Sequence, residues 1–351
     1  MKTRYEKILV GIREKARLIL RPVTFMELCG THSQTVARNG IKNILPENIR
    51  LVTGPGCPVC VTDQFDIDSA IGLALQGIPL ATYGDMLNVP GSSSSLENTK
   101  QRGADIAIVY DIAEALEMKK QKPNLFFFGI GFETTTPMTA WAIRNGLVVY
   151  SAHKRFFPAM TALLANKRLK IDGFINPGHV SAITGTEIYE KLPVPQVVAG
   201  FEAMDVLKSI SMLLDQIIRG ERKVQNEYDR VVQKRGNKRA QKIIKEVFET
   251  ADASWRGLGK IKCSGLKIRK KYKNQDAEYV YRTLLKKVRR EIMIEPTVCK
   301  CGEILQGLSE PQNCPLFSKN CSPENPHGPC MVSVEGACNV SYKYGKIGQK
   351  N

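Results

Sequence analysis

The chain reads as an α/β protein made of two small parallel-sheet domains followed by a third, C-terminal domain ordered by metal. Three observations predict it. At 351 residues the chain exceeds the size at which one hydrophobic core usually stops growing, so two or three domains are expected. From residue 23 to about 220, short β-branched or aromatic runs alternate with amphipathic runs, the pattern of βα units and a parallel sheet. After about residue 295 that periodicity gives way to Cys, Pro and Gly, which suits a small unit held by metal ligands rather than by a core.

The N-terminus, MKTRYEKILVGIREKARLIL, sets charges among apolar residues at helical spacing and lacks the h-region and cleavage site of a secretory signal. Strands are expected at Val23–Leu28, Arg50–Thr53, Leu80–Tyr83, Asp105–Tyr110, Leu125–Ile130, Leu147–Ser151, Gly173–Asn176 and Gln196–Ala199. Helical patterns follow most of them, at Asp66–Gln76, Ile112–Lys120, Met138–Asn145, Pro158–Asn166 and Met204–Arg219. The charged, Pro-containing link Lys119–Pro123 is the expected joint, giving domains over 1–120, 121–220 and 221–351. The piece PGSSSS at Pro90–Ser95 reads as a loop, and no internal repeat stands out.

No apolar stretch approaches the ~18 residues of a membrane span, so a soluble, cytoplasmic protein is expected. In a reducing compartment the ten cysteines point to metal or thiol chemistry rather than to five disulfides. The net charge of +17 would ordinarily suggest nucleic acid, but residues 219–290 hold 23 Lys/Arg against 8 Asp/Glu and thus +15 of it. That stretch interleaves charge with apolar residues at helical spacing. It reads as basic helices with a solvated face, or as a dock for an acidic protein, rather than as a nucleic-acid reader.

Five motifs each begin where an expected strand ends: Cys29-Gly30-Thr31-His32, Gly54-Pro55-Gly56-Cys57-Pro58-Val59-Cys60, Gly131-Phe132-Glu133-Thr134-Thr135-Thr136-Pro137, Asn176-Pro177-Gly178-His179-Val180-Ser181 and Gly200-Phe201-Glu202. Ligands of open parallel sheets bind outside the carboxyl ends of the strands, so these motifs are expected to line one rim or to face each other across a cleft. The pair Cys57-x2-Cys60 has the spacing of a redox dithiol, and no second CxxC completes it as a zinc site. Cys29 and His32 put a thiolate and an imidazole within one turn, as a nucleophile with a base, as two metal ligands, or as ordinary buried residues. Glu133 and His179 suit acid/base or orienting work, against the plainer reading that Thr134, Thr135 and Thr136 cap the following helix and Glu133 pairs with its N-terminus. His153, His327 and Cys263 read as structural.

The tail carries Cys314-x6-Cys321-x8-Cys330-x7-Cys338, with Cys299 and Cys301 upstream as two further thiols. Four thiolates suit Zn²⁺ or an iron–sulfur cluster. The wide spacings favour a cluster over the tight knuckles of structural zinc.

CGTH, GPGCPVC, GFETTTP, PGHVSAI, GFE and CPLFSKNCSPENPHGPCMVSVEGAC, in that order, resemble the HypD family of [NiFe]-hydrogenase maturation factors from about residue 20 onward. The resemblance implies a scaffold and redox factor for assembling the iron centre with its two cyanides and carbon monoxide. It implies work with the chaperone HypC and the cyanide donor HypE, with the hydrogenase large subunit served indirectly and no nucleic acid or membrane. It implies a [4Fe-4S] cluster on Cys314, Cys321, Cys330 and Cys338, with Cys299 and Cys301 as open alternatives, and Fe²⁺ in transit carrying cyanide and carbon monoxide. Cys29 resembles the iron-holding cysteine and Cys57 and Cys60 the redox pair, which touches the same iron, while His32, Glu133, Thr134, Thr135 and His179 resemble residues lining the cleft. Asp63 and Ala203 stand where prolines are expected, which touches loop rigidity and not donor atoms. A free-standing iron–sulfur disulfide reductase and a zinc-stapled binding protein are the rival readings.

Overall fold

In the computed structural model, which describes residues 3–293 and 297–345, all eight expected strands form within one residue of their expected ends. They are β1 (Val23–Glu27), β2 (Ile49–Thr53), β3 (Leu80–Tyr83), β4 (Ile106–Val109), β5 (Phe126–Gly129), β6 (Val148–Ser151), β7 (Gly173–Pro177) and β8 (Gln196–Ala199). A short ninth strand, β9 (Val224–Asn226), extends the series. They form two parallel sheets, one of order β2-β1-β7-β8-β9 and one of order β4-β3-β5-β6. Central strands such as β5 and β7 are buried along their whole length, which is why they read as continuous apolar runs rather than as alternating ones.

The sheets do not follow a cut at residue 120. That position lies between β4 and β5, which belong to one sheet, whereas β1 and β2 share a sheet with β7, β8 and β9. The chain leaves the first sheet after β2, builds the second, and returns to lay β7 beside β1, pairing Phe25 with Gly173 and Glu27 with Ile175. A parallel neighbour always needs a crossover, and here the crossover contains a whole second sheet. Helix Arg4–Arg17 packs on helix Ala203–Arg219 of the first unit, where Lys15 Nζ lies 2.6 Å from Asp215.

The basic stretch is not helical throughout. It contains an antiparallel hairpin of β10 (Phe248–Trp255) and β11 (Gly259–Ile268), irregular between Ala251 and Ala253. Its lysines lie on an exposed strand face and so resemble the solvated side of a helix. The two longer helices that form there, Lys238–Val247 and Arg282–Glu291, bury only two residues each and turn most of their charges outward.

One buried cluster runs from Met26 and Val52 through Phe128 and Tyr150 to Trp255, Cys301, Met331 and Cys338. The cysteine-bearing tail is therefore packed onto both sheets by apolar side chains, including Ile304, Leu305 and Met331. Among the described residues no helix is long and apolar enough to cross a membrane.

Candidate functional site

The carboxyl ends of the two sheets meet at a cleft of about 360 Å³. Leu28 and Cys29 reach it from the end of β1, Gly56 and Pro58 from beyond β2, and Pro177 and His179 from the end of β7. From the other sheet come Phe132 and Thr134, beyond β5. The tail closes one side with Glu335.

Cys29 follows β1 by two residues as the cap of helix Gly30–Arg38 and is half-buried. Its backbone N–H donates to Glu27 at 3.2 Å, and burial raises that carboxyl to about 7. Burial and the nearby Glu335 carboxylate push the Cys29 thiol up to about 12. The CxxC loop lies directly beside it, with Gly30 N–H donating to the Gly56 carbonyl at 3.4 Å. Only glycine allows this approach, because a Cβ on Gly56 would come within 2.6 Å of the Cys29 backbone. Gly30 is constrained in the same way, since a Cβ there would stand 2.4 Å from Glu335 Cβ.

Of the expected polar residues, Thr134 and His179 line the cleft, whereas His32, Glu133 and Thr135 lie behind it. His32 is fully buried with Nε2 2.9 Å from the Gly200 carbonyl oxygen and Nδ1 unpartnered, and burial lowers it to about 4. The Phe201 ring lies between the two histidines, with centroids 3.9 Å from His179 and 5.1 Å from His32. Burial also lowers His179. Glu133 accepts the Phe156 N–H at 3.1 Å and so caps helix Phe156–Ala165, not the helix that follows it in sequence; burial raises its carboxyl. Thr135 turns its hydroxyl to the Ile130 carbonyl at 3.3 Å. Asp63 caps helix Gln64–Leu75 and Ala203 opens helix Ala203–Arg219, so neither departure from proline breaks an element.

Cys57 and Cys60 form a disulfide across helix Pro58–Val61, with Cα atoms 5.2 Å apart, and both are almost fully buried. Helix Pro329–Val332 of the tail packs on this short helix, and the Pro329 carbonyl oxygen lies 3.9 Å from Cys60 Sγ. The next residue, Cys330, has its Sγ 2.6 Å from Cys301 Sγ. Hydrogen bonding within this pair keeps the proton on Cys330, whose thiol is pushed well up, and lowers Cys301, helped by the charge of Arg256.

The other tail thiols lie within reach of one another's charge. The charges of Cys301, Cys314 and Cys338 bear on Cys299, which burial first of all raises to about 12, and those of Cys338 and Cys314 bear on Cys321. Cys321 Sγ also accepts the His327 backbone N–H at 3.4 Å. Cys330 thus sits with Cys301, and Cys338 reaches it as well. Among the described residues no three such side chains close on one point at metal-ligating geometry. The donor set nevertheless fits a thiolate-bound cluster by its chemistry: several buried soft donors, two of them in contact and one already taking a backbone N–H.

Glu335 and Phe201 are the site residues that motif reasoning underweighted. Thr31 donates its hydroxyl to Glu335 at 2.8 Å across 304 positions of sequence, a contact fixed by tail packing alone. Phe201 was visible only as the middle of GFE.

Residues 3–345 match the HypD family, described as the hydrogenase formation hypA family. A putative hydrogenase expression/formation protein of Methanocaldococcus jannaschii is 47% identical over 335 residues, covering 92% of this chain and 92% of that one. The hydrogenase maturation factor HypD of Cupriavidus necator is 41% identical over 364 residues, covering 97% and 94%. HypD of Escherichia coli is 39% identical over 339 residues, covering 92% and 90%.

Proposed function

This chain belongs to the HypD family of hydrogenase formation proteins, and we propose that within hydrogenase maturation it holds iron at Cys29 while cyanide is released by thiol reduction beside it. One observation carries the reading. The segment bearing the Cys57–Cys60 disulfide touches both the Cys29 turn, through Gly56, and the helix that carries Cys330 beside Cys301.

Iron is the substrate, taken at the cleft mouth by the Cys29 thiolate together with a cysteine of a HypC-type chaperone. A HypE-type donor presents a thiocyanate at the same mouth. In the reduced state the Cys57 and Cys60 thiols would convert R–SCN to R–SH and HCN and become the disulfide; two electrons and two protons leave the dithiol, and the S–C bond breaks. The released cyanide, losing its proton, passes to the iron. Exchange with the Cys301–Cys330 dithiol would restore Cys57 and Cys60 and leave Cys301–Cys330 oxidised. Cys314, Cys321 and Cys338 would hold a [4Fe-4S] cluster with Cys330, or with Cys299 in its place while Cys330 is engaged by Cys301. Such a cluster supplies electrons one at a time. The near-complete burial of Cys57 and Cys60 favours a small linear group such as thiocyanate over the protein disulfide a free-standing reductase would need to admit.

The test is infrared spectroscopy of the anaerobically purified complex with HypC, after loading by HypE. Cys29→Ala is expected to abolish the metal-bound cyanide and carbon monoxide bands, and Cys57→Ala to slow cyanide loading at least tenfold with iron retained. Unchanged loading by Cys57→Ala would sink the thiol step. Brown anaerobic colour, with iron and sulfide found on analysis, separates the cluster from colourless zinc thiolate.

A further inference from the structure

We propose that Tyr228 is a positioning residue of the cleft, a ring wedged between the motifs that follow β7 and β8 so that it sets the stack aiming His179 at the incoming group. It rests on the reading above that a thiocyanate enters this cleft. Among the described residues His179 is the one side-chain nitrogen lining the cleft. Its ring makes no hydrogen bond among them, so no polar partner fixes its angle. What holds it is Phe201, whose ring lies within 28° of parallel with centroids 3.9 Å apart.

Tyr228 follows β9 by two residues, and its backbone N–H donates to the side-chain oxygen of Asn226 at 3.1 Å. Its ring covers two glycines at once. A Cβ on Gly178 would stand 2.8 Å from Tyr228 Cδ1, and one on Gly200 would stand 2.7 Å from Cδ2, so each edge of the ring lies on one motif. Neither glycine has a positive φ; each is needed for the room it leaves. The tyrosine ring then meets Phe201 at 83° with centroids 5.7 Å apart, the edge-to-face geometry that aromatic pairs favour. On the outside, the Arg230 guanidinium sits 4.4 Å over the Tyr228 ring and pairs with Asp205 at 2.5 Å. Asp205 also accepts the Glu202 N–H at 3.3 Å, and Glu227 accepts the Gly200 N–H at 3.3 Å. The backbone on both sides of Phe201 is thus tied, directly or through Asp205, to the segment that carries Tyr228.

An imidazole donates and accepts through two distinct ring nitrogens, so its use depends on where they point. A side chain with one stacking neighbour and no hydrogen bond is released to other rotamers when that neighbour shifts. Holding Phe201 therefore fixes which way His179 meets the nitrogen end of a thiocyanate. Loss of that alignment costs rate without removing a donor atom.

The test uses the full chain with isotope-labelled histidine, whose four ring signals are assigned by replacing each histidine with Gln in turn. The face of Phe201 shifts the His179 ring protons upfield. Tyr228→Ala is expected to move that signal downfield and to slow cyanide loading by HypE about tenfold, read by infrared spectroscopy of the HypC complex with iron retained. Tyr228→Leu, which keeps apolar bulk without the aromatic edge, should do the same and serves if the alanine form does not fold. Tyr228→Phe should match the parent in both readouts, because the hydroxyl makes no hydrogen bond among the described residues. The proposal is overturned by a His179 signal that stays in place in the alanine or leucine form, by one that moves while loading keeps the parent rate, or by a phenylalanine form as slow as alanine. Unchanged loading by Cys57→Ala sinks the thiol step alone, since the tyrosine variants are read against the parent's own rate. A parent chain that takes up no cyanide ends that reading and this proposal together.

Discussion

His153 shows how a residue with a suggestive side chain can be accounted for entirely by packing. It is almost fully buried at the end of β6, with Nε2 3.1 Å from the Thr139 hydroxyl and Nδ1 3.2 Å from that of Ser151. Desolvation, with the charge of neighbouring Lys154, lowers it from 6.5 to about 3. The folded state therefore refuses a proton that the unfolded chain accepts between these values. Above pH 6.5 both forms are neutral and the effect is absent; as pH falls toward 3, stability is lost at no more than about 1.4 kcal/mol per pH unit. Urea midpoints between pH 7 and 4 should fall more steeply for the parent chain than for His153→Gln. Equal slopes would show that His153 titrates normally.

At the scale of elements, the hairpin is where reading from sequence stopped short. The eight strands were legible because apolar runs bounded by Gly and Pro are a strong local signal, and the five motifs at their ends were legible for the same reason. The hairpin was not, because in a segment of net charge +15 its outward lysines mask a two-residue period. Yet its turn touches both cysteine sites, with the Arg256 N–H on the Val61 carbonyl and the Gln306 amide on the Gly257 carbonyl. Trp255 is 1% exposed, stacks on Phe132 with centroids 5.8 Å apart, and donates its indole N–H to Ser264 at 2.8 Å. Trp255→Ala should therefore cost about 3–5 kcal/mol, read as a lower urea midpoint. Trp255→Phe should recover most of it, less the indole hydrogen bond. A loss below about 1 kcal/mol for the alanine form would mean that the hairpin packs loosely.

For the whole molecule, no local pattern says which strands share a sheet. Order β2-β1-β7 depends on a return after more than a hundred residues, and the Thr31–Glu335 contact depends on a tail folding back over the first motif. A cut at residue 120 was drawn from composition, and composition does not record crossovers. The same long-range packing decides what the proposed cluster would be needed for. A tail ordered by ligands alone would unfold without them, as small metal-held domains do. Here Ile304, Leu305, Met331 and Val340 are each no more than 5% exposed, and the first three join the cluster that spans both sheets. Full burial of a large aliphatic side chain is worth about 1.5–3 kcal/mol, so four of them offer several kcal/mol independent of any ligand. Replacing Cys314 and Cys321 together by Ser should therefore abolish the brown colour and bound iron of the proposed cluster while leaving one cooperative urea transition, with its midpoint lowered. Limited proteolysis distinguishes the alternatives: a packed tail stays resistant in the double variant, whereas rapid cleavage after residue 297 with the sheets intact would make the tail a metal-dependent fold.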